Sequence, residues 1–242
     1  MSRAHVTTSV GAALLAIALG SPAQAQQQPP ARPQIETKKV DGTDNVYIFR
    51  NGNHQAMFIV TKAGVIATDR LKVLKDPHTP IPDESVSNRG RTIKLGGTAL
   101  ELKYVGLNHS DSTLVMRLPK EKIIFVVDLI AVGSFPGRGM IDFYPLESEV
   151  SIKQIIAMDW ERMIPGHPGQ PGGRLGTKED VQNVLTLLQE ASAEVKTAAR
   201  AGKCWQPTEK EFTLPKYANW PGYEVARPLL ARRYCGLWGR GT

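Results

Sequence analysis

Tyr104–Ile130 reads YVGLNHSDSTLVMRLPKEKIIFVVDLI, and the parsing of this stretch decides the fold. Two apolar runs, Thr113–Leu118 and Lys122–Ile130, flank Pro119-Lys120-Glu121, the pattern of a strand, a short turn and a second strand. His109 precedes the first run, with Gly106 and Asn108 before it and Ser110-Asp111-Ser112 after it. Asp128 lies near the end of the second run, inside IIFVVDLI, where a carboxylate is costly unless a cation or hydrogen-bond donors balance it. A histidine in a polar turn at the mouth of a strand, with such an aspartate, is the beginning of a metal site. The plainer alternatives are a surface turn histidine and an aspartate that caps neighbouring backbone.

Outward from this stretch the grammar is regular. Upstream, Asn45–Arg50, Gln55–Thr61 and Val65–Asp69 alternate or run apolar, separated by Asn51-Gly52-Asn53 and Lys62-Ala63-Gly64, which predicts antiparallel hairpins. Thr92–Leu95 and Ala99–Val105 flank a Gly96-Gly97-Thr98 turn and lead straight to His109. Between these hairpins Asp76–Asn88 holds three prolines and reads as an irregular connector. Downstream, Val132–Tyr144 is a glycine-rich loop, and Glu147–Met158 carries Val150, Ile152, Ile155 and Ile156 at helical spacing. Thr177-Lys178-Glu179-Asp180 is a capping-box start for a helix reaching Arg200, with Val181, Val184, Leu185, Leu188, Ala191 and Val195 as its buried stripe. A last short helix is expected near Tyr223–Arg233.

A third element joins the first two. Arg162–Gly169 (RMIPGHPG) puts His167 in a Pro/Gly-rich turn after an apolar run. The succession GLNHSDS, FVVDL, IPGHPG resembles the second half of the metallo-β-lactamase-fold hydrolases, and Asn45–Asp69 is similar to that family's opening strands. The likeness covers most of the chain beyond the leader. It implies an α+β fold: an αββα sandwich of two mixed β-sheets flanked by helices, within residues 41–242. It also implies that His109, Asp128 and His167 are metal ligands, that zinc is the cofactor and that the ligand is a small molecule. In the family the loop after the second strand contacts substrate, which makes Phe135, Arg138 and Phe143 candidates for a binding wall.

The departure is as informative as the match. The family signature H-x-H-x-D-H should follow the strand ending at Asp69, yet the chain contains no H-x-H; its histidines are His5, His54, His78, His109 and His167. After Asp69 the sequence runs RLKVLKDPH, similar to what normally follows the missing loop and its strand–helix unit. Part of the first half of the fold is therefore expected to be missing. With only His109, Asp128 and His167 left, one zinc ion at most is expected, weakly held, and hydrolase activity impaired or absent. The alternative is a non-catalytic protein that binds a small molecule or an envelope partner on the same fold. His54 reads as a turn-side hydrogen-bonding residue near the rim. His78, in a proline-stiffened loop, reads as exposed or as a replacement ligand. Loss of a strand–helix unit is also expected to leave an apolar sheet edge and an uncovered face, hence self-association.

The N-terminus sets the compartment. Met1–Ala25 has a weakly basic start, an apolar run Val10–Leu19 and a small-x-small site at Ala23-Gln24-Ala25, the pattern of a cleaved signal peptide. The alternative, a retained anchor, is disfavoured because the run is short for a bilayer span. A periplasmic or secreted protein without a transmembrane segment is expected. Residues 26–40 begin QQQPPARP and read as a disordered Pro/Gln-rich leader. The formal net charge is +7, of which Arg3 supplies one, and Lys and Arg are scattered with no run longer than a pair such as Arg232-Arg233. No basic motif interleaved with aromatics is present, so nucleic acid is not an expected partner. Cys204 and Cys235 are the only cysteines, and in an oxidising compartment an even pair predicts a disulfide tying together the extension 203–242. Trp205, Trp220, Tyr223 and Tyr234 fall within that extension and are expected to form a satellite aromatic cluster.

Overall fold

A computed structural model describes residues 35–68, 85–140, 142–167, 169 and 173–240. The expected signal peptide Met1–Ala25, the start of the leader and the Arg70–His78 segment lie outside the described residues.

The upstream hairpins form one antiparallel sheet: β1 (Ile35–Lys39), β2 (Val46–Asn51), β3 (His54–Thr61) and β4 (Gly64–Ala67), in that order. The leader was expected to run to residue 40, but its last residues form β1, paired antiparallel with β2 from Ile35↔Asn51 to Lys39↔Tyr47. All five β1 residues are exposed, so their polar composition, which resembles a leader, suits an edge strand equally well.

The second sheet has the order β5 (Arg91–Leu95), β6 (Thr98–Tyr104), β7 (Leu114–Leu118), β8 (Ile123–Val126) and β9 (Arg162–Pro165). Gly96 and Gly97, at φ +53° and +83°, supply the two positive dihedrals of a tight β5–β6 hairpin. This sheet is mixed, since β8 and β9 pair in parallel with Phe125 opposite Ile164. Their crossover carries helix α1 (Pro145–Ala157), as parallel neighbours require. The expected strand Lys122–Ile130 stops at Val126 because Asp128 takes φ +64° and Leu129 N–H bonds back to the Val127 carbonyl at 2.7 Å.

Strand β8 is buried on both faces, and its alternation divides the core. Ile123 and Phe125 join Val46, Met57, Ile59 and Ile66 between the two sheets. Ile124 and Val126 point the other way, towards α1, α2 (Lys178–Arg200) and α4 (Tyr223–Trp238). The expected α2 stripe is buried throughout, and the capping box is complete: Asp180 N–H donates to Thr177 Oγ1 and Thr177 N–H to the Asp180 carboxylate. In α1, Ile152 and Ile155 are buried as expected but Val150 is 56% exposed. At about 100° per residue it lies nearly opposite Ile152, and Ser148 and Ser151 take the inward places.

Cys204 and Cys235 form the expected disulfide, which joins the segment after α2 to α4. The aromatics of the extension are no satellite, however. Tyr217, Tyr223 and Tyr234 are buried in the same cluster as α1, α2 and the second sheet. The described helices gather on that sheet, while the outward face of the first exposes Phe49, Val60 and Val65.

Candidate functional site

Backbone anchors at the strand ends bring three loops together. After β6, Asn108 is fully buried: its Nδ2 donates to the Gly106 carbonyl at 2.9 Å and its Oδ1 accepts the His109 N–H at 2.6 Å. From α1, Ser151 Oγ lies 2.8 Å from the Val105 carbonyl and 2.9 Å from that of Leu107, fixing the same loop from beneath. After β9, Gly166 N–H donates to the Val126 carbonyl, and Gln55 of β3 donates through its backbone N–H to Gly166 O and through Nε2 to Pro165 O. The first sheet is thereby stitched to the turn that carries His167.

His109, Asp128 and His167, far apart in sequence, meet here. His167 Nε2 lies 2.6 Å from Asp128 Oδ1, and its Nδ1 donates to the Asn53 carbonyl at 2.7 Å. His109 Nδ1 lies 3.8 Å from Asp128 Oδ2, and its Nε2 lies 3.4 Å from Asp142 Oδ2. Asp128 is the most buried of the group, its side chain 14% exposed against 24% for His109 and 32% for His167. The ring of His54 meets that of His167 edge-on, with centroids 4.9 Å apart.

One of these residues escaped the sequence reading. Asp142 faces the second nitrogen of His109, although only Phe135, Arg138 and Phe143 stood out in its loop. The signal was a single carboxylate in an otherwise uncharged run after Arg138. His54, read as a turn-side residue near the rim, lies there, its ring against that of His167. Beside His109 opens a cavity of about 430 Å³ lined by Ser110, Asp111, Asp142, Phe143, Tyr144 and Arg233. Of the three expected wall residues only Phe143 borders it, and its carbonyl accepts from Arg233 Nε at 2.8 Å. Phe135 is buried edge-on against Tyr223, 5.3 Å between centroids, and Arg138 is exposed at φ +51°.

The donors are right in kind for a transition metal, two imidazoles and a carboxylate. Their spacing is not. With Zn–N and Zn–O bonds of about 2.0–2.2 Å, tetrahedral neighbours stand roughly 3.3–3.4 Å apart. His167 Nε2 and Asp128 Oδ1 are closer than that, at the separation of a shared proton. His109 Nδ1 stands 3.8 Å from Asp128 Oδ2, wider than the tetrahedral spacing, while its Nε2 is turned to Asp142. Among the described residues no group of three or more His, Cys, Asp or Glu is arranged to hold a metal ion. As they stand, these residues do not fit zinc.

Two face-to-face sheets flanked by helices, with loops converging at the strand ends, make a metallo-β-lactamase-like sandwich, and the chain has that fold, its described helices lying on the second sheet. A metallo-β-lactamase from Pontibacter korlensis is similar in structure, with TM-score 0.51 and 17% identity over 64% of this chain and 99% of that one. The metallo-β-lactamase DIM-1 is similar to the same degree, with TM-score 0.52 and 14% identity over 66% of this chain and 99% of that one. No family model matches the sequence. No curated protein matches it either.

Proposed function

We propose that the chain is an exported relative of the metallo-β-lactamase-like hydrolases in which hydrolysis is impaired or lost. The observation that carries this is the direct contact of 2.6 Å between His167 Nε2 and Asp128 Oδ1. To admit zinc this pair must open by about 0.7 Å, given the tetrahedral spacing above. Any ion is then held singly and weakly, by Asp128 and His167 with His109 turning towards it. The sequence supplies no H-x-H pair to complete a first site. The reading includes cleavage near Ala25 and a periplasmic or secreted location. Among the described residues no helix is long and apolar enough to cross a membrane.

A second reading, a non-catalytic small-molecule binder, is favoured by the cavity beside His109, whose lining combines Arg233 and Tyr144 with Asp142 and Asp111. One experiment separates the two. Purified protein is assayed for metal by elemental analysis and titrated with zinc by calorimetry, with Asp128→Ala and His109→Ala as controls. Lactam, thioester and phosphodiester substrates are tested alongside. Less than one equivalent of zinc and no turnover is the expected result. Stoichiometric tight zinc with turnover that Asp128→Ala abolishes would overturn it, and saturable binding of an unhydrolysed ligand would favour the second reading.

A further inference from the structure

Strand β1 (Ile35–Lys39) bears on oligomerisation whether or not the site binds metal. It is the outer strand of its sheet, and all five of its residues are exposed. A strand so placed presents a row of backbone N–H and C=O groups with no partner strand among the described residues. Its sequence is Ile-Glu-Thr-Lys-Lys. Laid antiparallel against a second copy about a two-fold axis at Thr37, Glu36 of each copy falls opposite Lys38 of the other, and Thr37 faces Thr37. Opposite charges and paired threonines are favourable cross-strand neighbours. A shift of two residues sets Glu36 opposite Glu36 or Lys38 opposite Lys38, and a shift of one would put opposed residues on different faces of the sheet.

The other edges lack this property. Strand β5 (RTIKL) carries Arg91 and Lys94 and no acid, so two copies would repel. Strand β4 (GVIA) has no charge to fix a register. Beyond β9, Met163 is already bridged to Gly176. Among the described residues Glu36 pairs with Arg50, at 3.6 Å, and its side chain is 43% exposed, leaving it accessible to a second partner. Lys38 has no ion pair among the described residues.

We propose that β1 pairs with β1 of a second copy, antiparallel and centred on Thr37, joining two four-stranded sheets into one of eight strands. The two-fold axis stands perpendicular to the sheet, so the outward faces bearing Phe49, Val60 and Val65 become continuous across the pair. This specifies which edge self-associates and in what register.

Sedimentation equilibrium of the purified chain and its charge variants tests it. Glu36→Lys alone and Lys38→Glu alone each turn two attractive pairs into two repulsive ones. At about 0.2–1 kcal/mol per pair, each should weaken the dimer roughly tenfold. The combined Glu36→Lys/Lys38→Glu variant restores opposite charges and should return the dissociation constant to within about threefold of wild type on the same scale. Under mild oxidation Thr37→Cys should give a covalent dimer and Ile35→Cys should not, because residue 35 faces residue 39 of the other copy. A chain that stays monomeric across the concentration range overturns the proposal. So does a dimer that ignores the charge swap or fails to cross-link at residue 37. Circular dichroism of each variant shows whether the monomer fold is retained.

Discussion

Gly166 is the residue through which a single methyl group should disorganise the site. A Cβ placed on it would lie 2.7 Å from Val127 Cγ1, 2.9 Å from Val127 Cα and 3.0 Å from Val127 Cβ. Ordinary carbon contacts are about 3.5–4.0 Å, so the overlap approaches ~1 Å, and one of the obstacles is backbone that cannot rotate aside. Gly166 does not sit at positive φ, which makes the penalty steric rather than conformational. Overpacking of this kind costs about 1–3 kcal/mol. Relief requires the turn to move by roughly the overlap, and His167 moves with it. Its 2.6 Å contact with Asp128 leaves only about 0.6 Å before it passes the usual hydrogen-bond range. Gly166→Ala should therefore lower the urea midpoint and also shift the imidazole nitrogen resonances of His167. Gly137→Ala is the control: nothing lies within 4 Å of its Cβ position, so its stability should stay within about 0.5 kcal/mol of wild type. Equal midpoints for the two variants, with unmoved His167 resonances, would refute the steric reasoning.

Asn108→Ala should cost about 1–3 kcal/mol in urea denaturation, because truncation of this fully buried side chain strands the part-buried Gly106 carbonyl and His109 N–H, whereas Asp128→Asn should cost less. Reducing the Cys204–Cys235 bond, which spans 31 residues of sequence, should destabilise the chain by about 3–4 kcal/mol on the loop-entropy account, read as a lower thermal midpoint in dithiothreitol. Burial pushes the Asp180 carboxyl up, but hydrogen bonds from Arg174 and from the Thr177 N–H and hydroxyl outweigh it and hold the group below the usual carboxylate range. A carboxyl depressed by folding stabilises the protein above its unfolded value of about 3.9, and that contribution fades as pH falls through the lower folded value. Asp180→Asn should thus lose stability at neutral pH and show a shallower decline below about pH 4, measured by denaturant midpoint against pH.

The sheets were legible where turn chemistry and burial agree locally. Gly96-Gly97 between two apolar runs admits little but a hairpin, and Thr177-Lys178-Glu179-Asp180 before a periodic stripe admits little but a helix start. The site was legible in part, since His109, Asp128 and His167 each follow a strand that the pattern located. What could not be read depends on partners distant in sequence. Ile35–Lys39 looks like leader until β2 stands beside it. Phe135 looks like part of a binding wall until Tyr223 packs against it. Asp142 has no pattern of its own, and its importance comes only from where the loop ends relative to His109.

The way these residues are held does not depend on a bound ligand. Each is fixed by backbone bonds that involve no ligand: His109 through Asn108 and Ser151, His167 through Gly166, Gln55 and the Asn53 carbonyl, Asp128 through the turn that ends β8. None of these anchors would be lost with an H-x-H segment, because none comes from residues 69–84. The carboxylate at the centre lies against the His167 ring instead, Oδ1 2.6 Å from Nε2. The same contact closes the space a metal would need. Keeping that contact and admitting a cation are competing demands on a single pair of atoms, and in this chain the geometry favours the first.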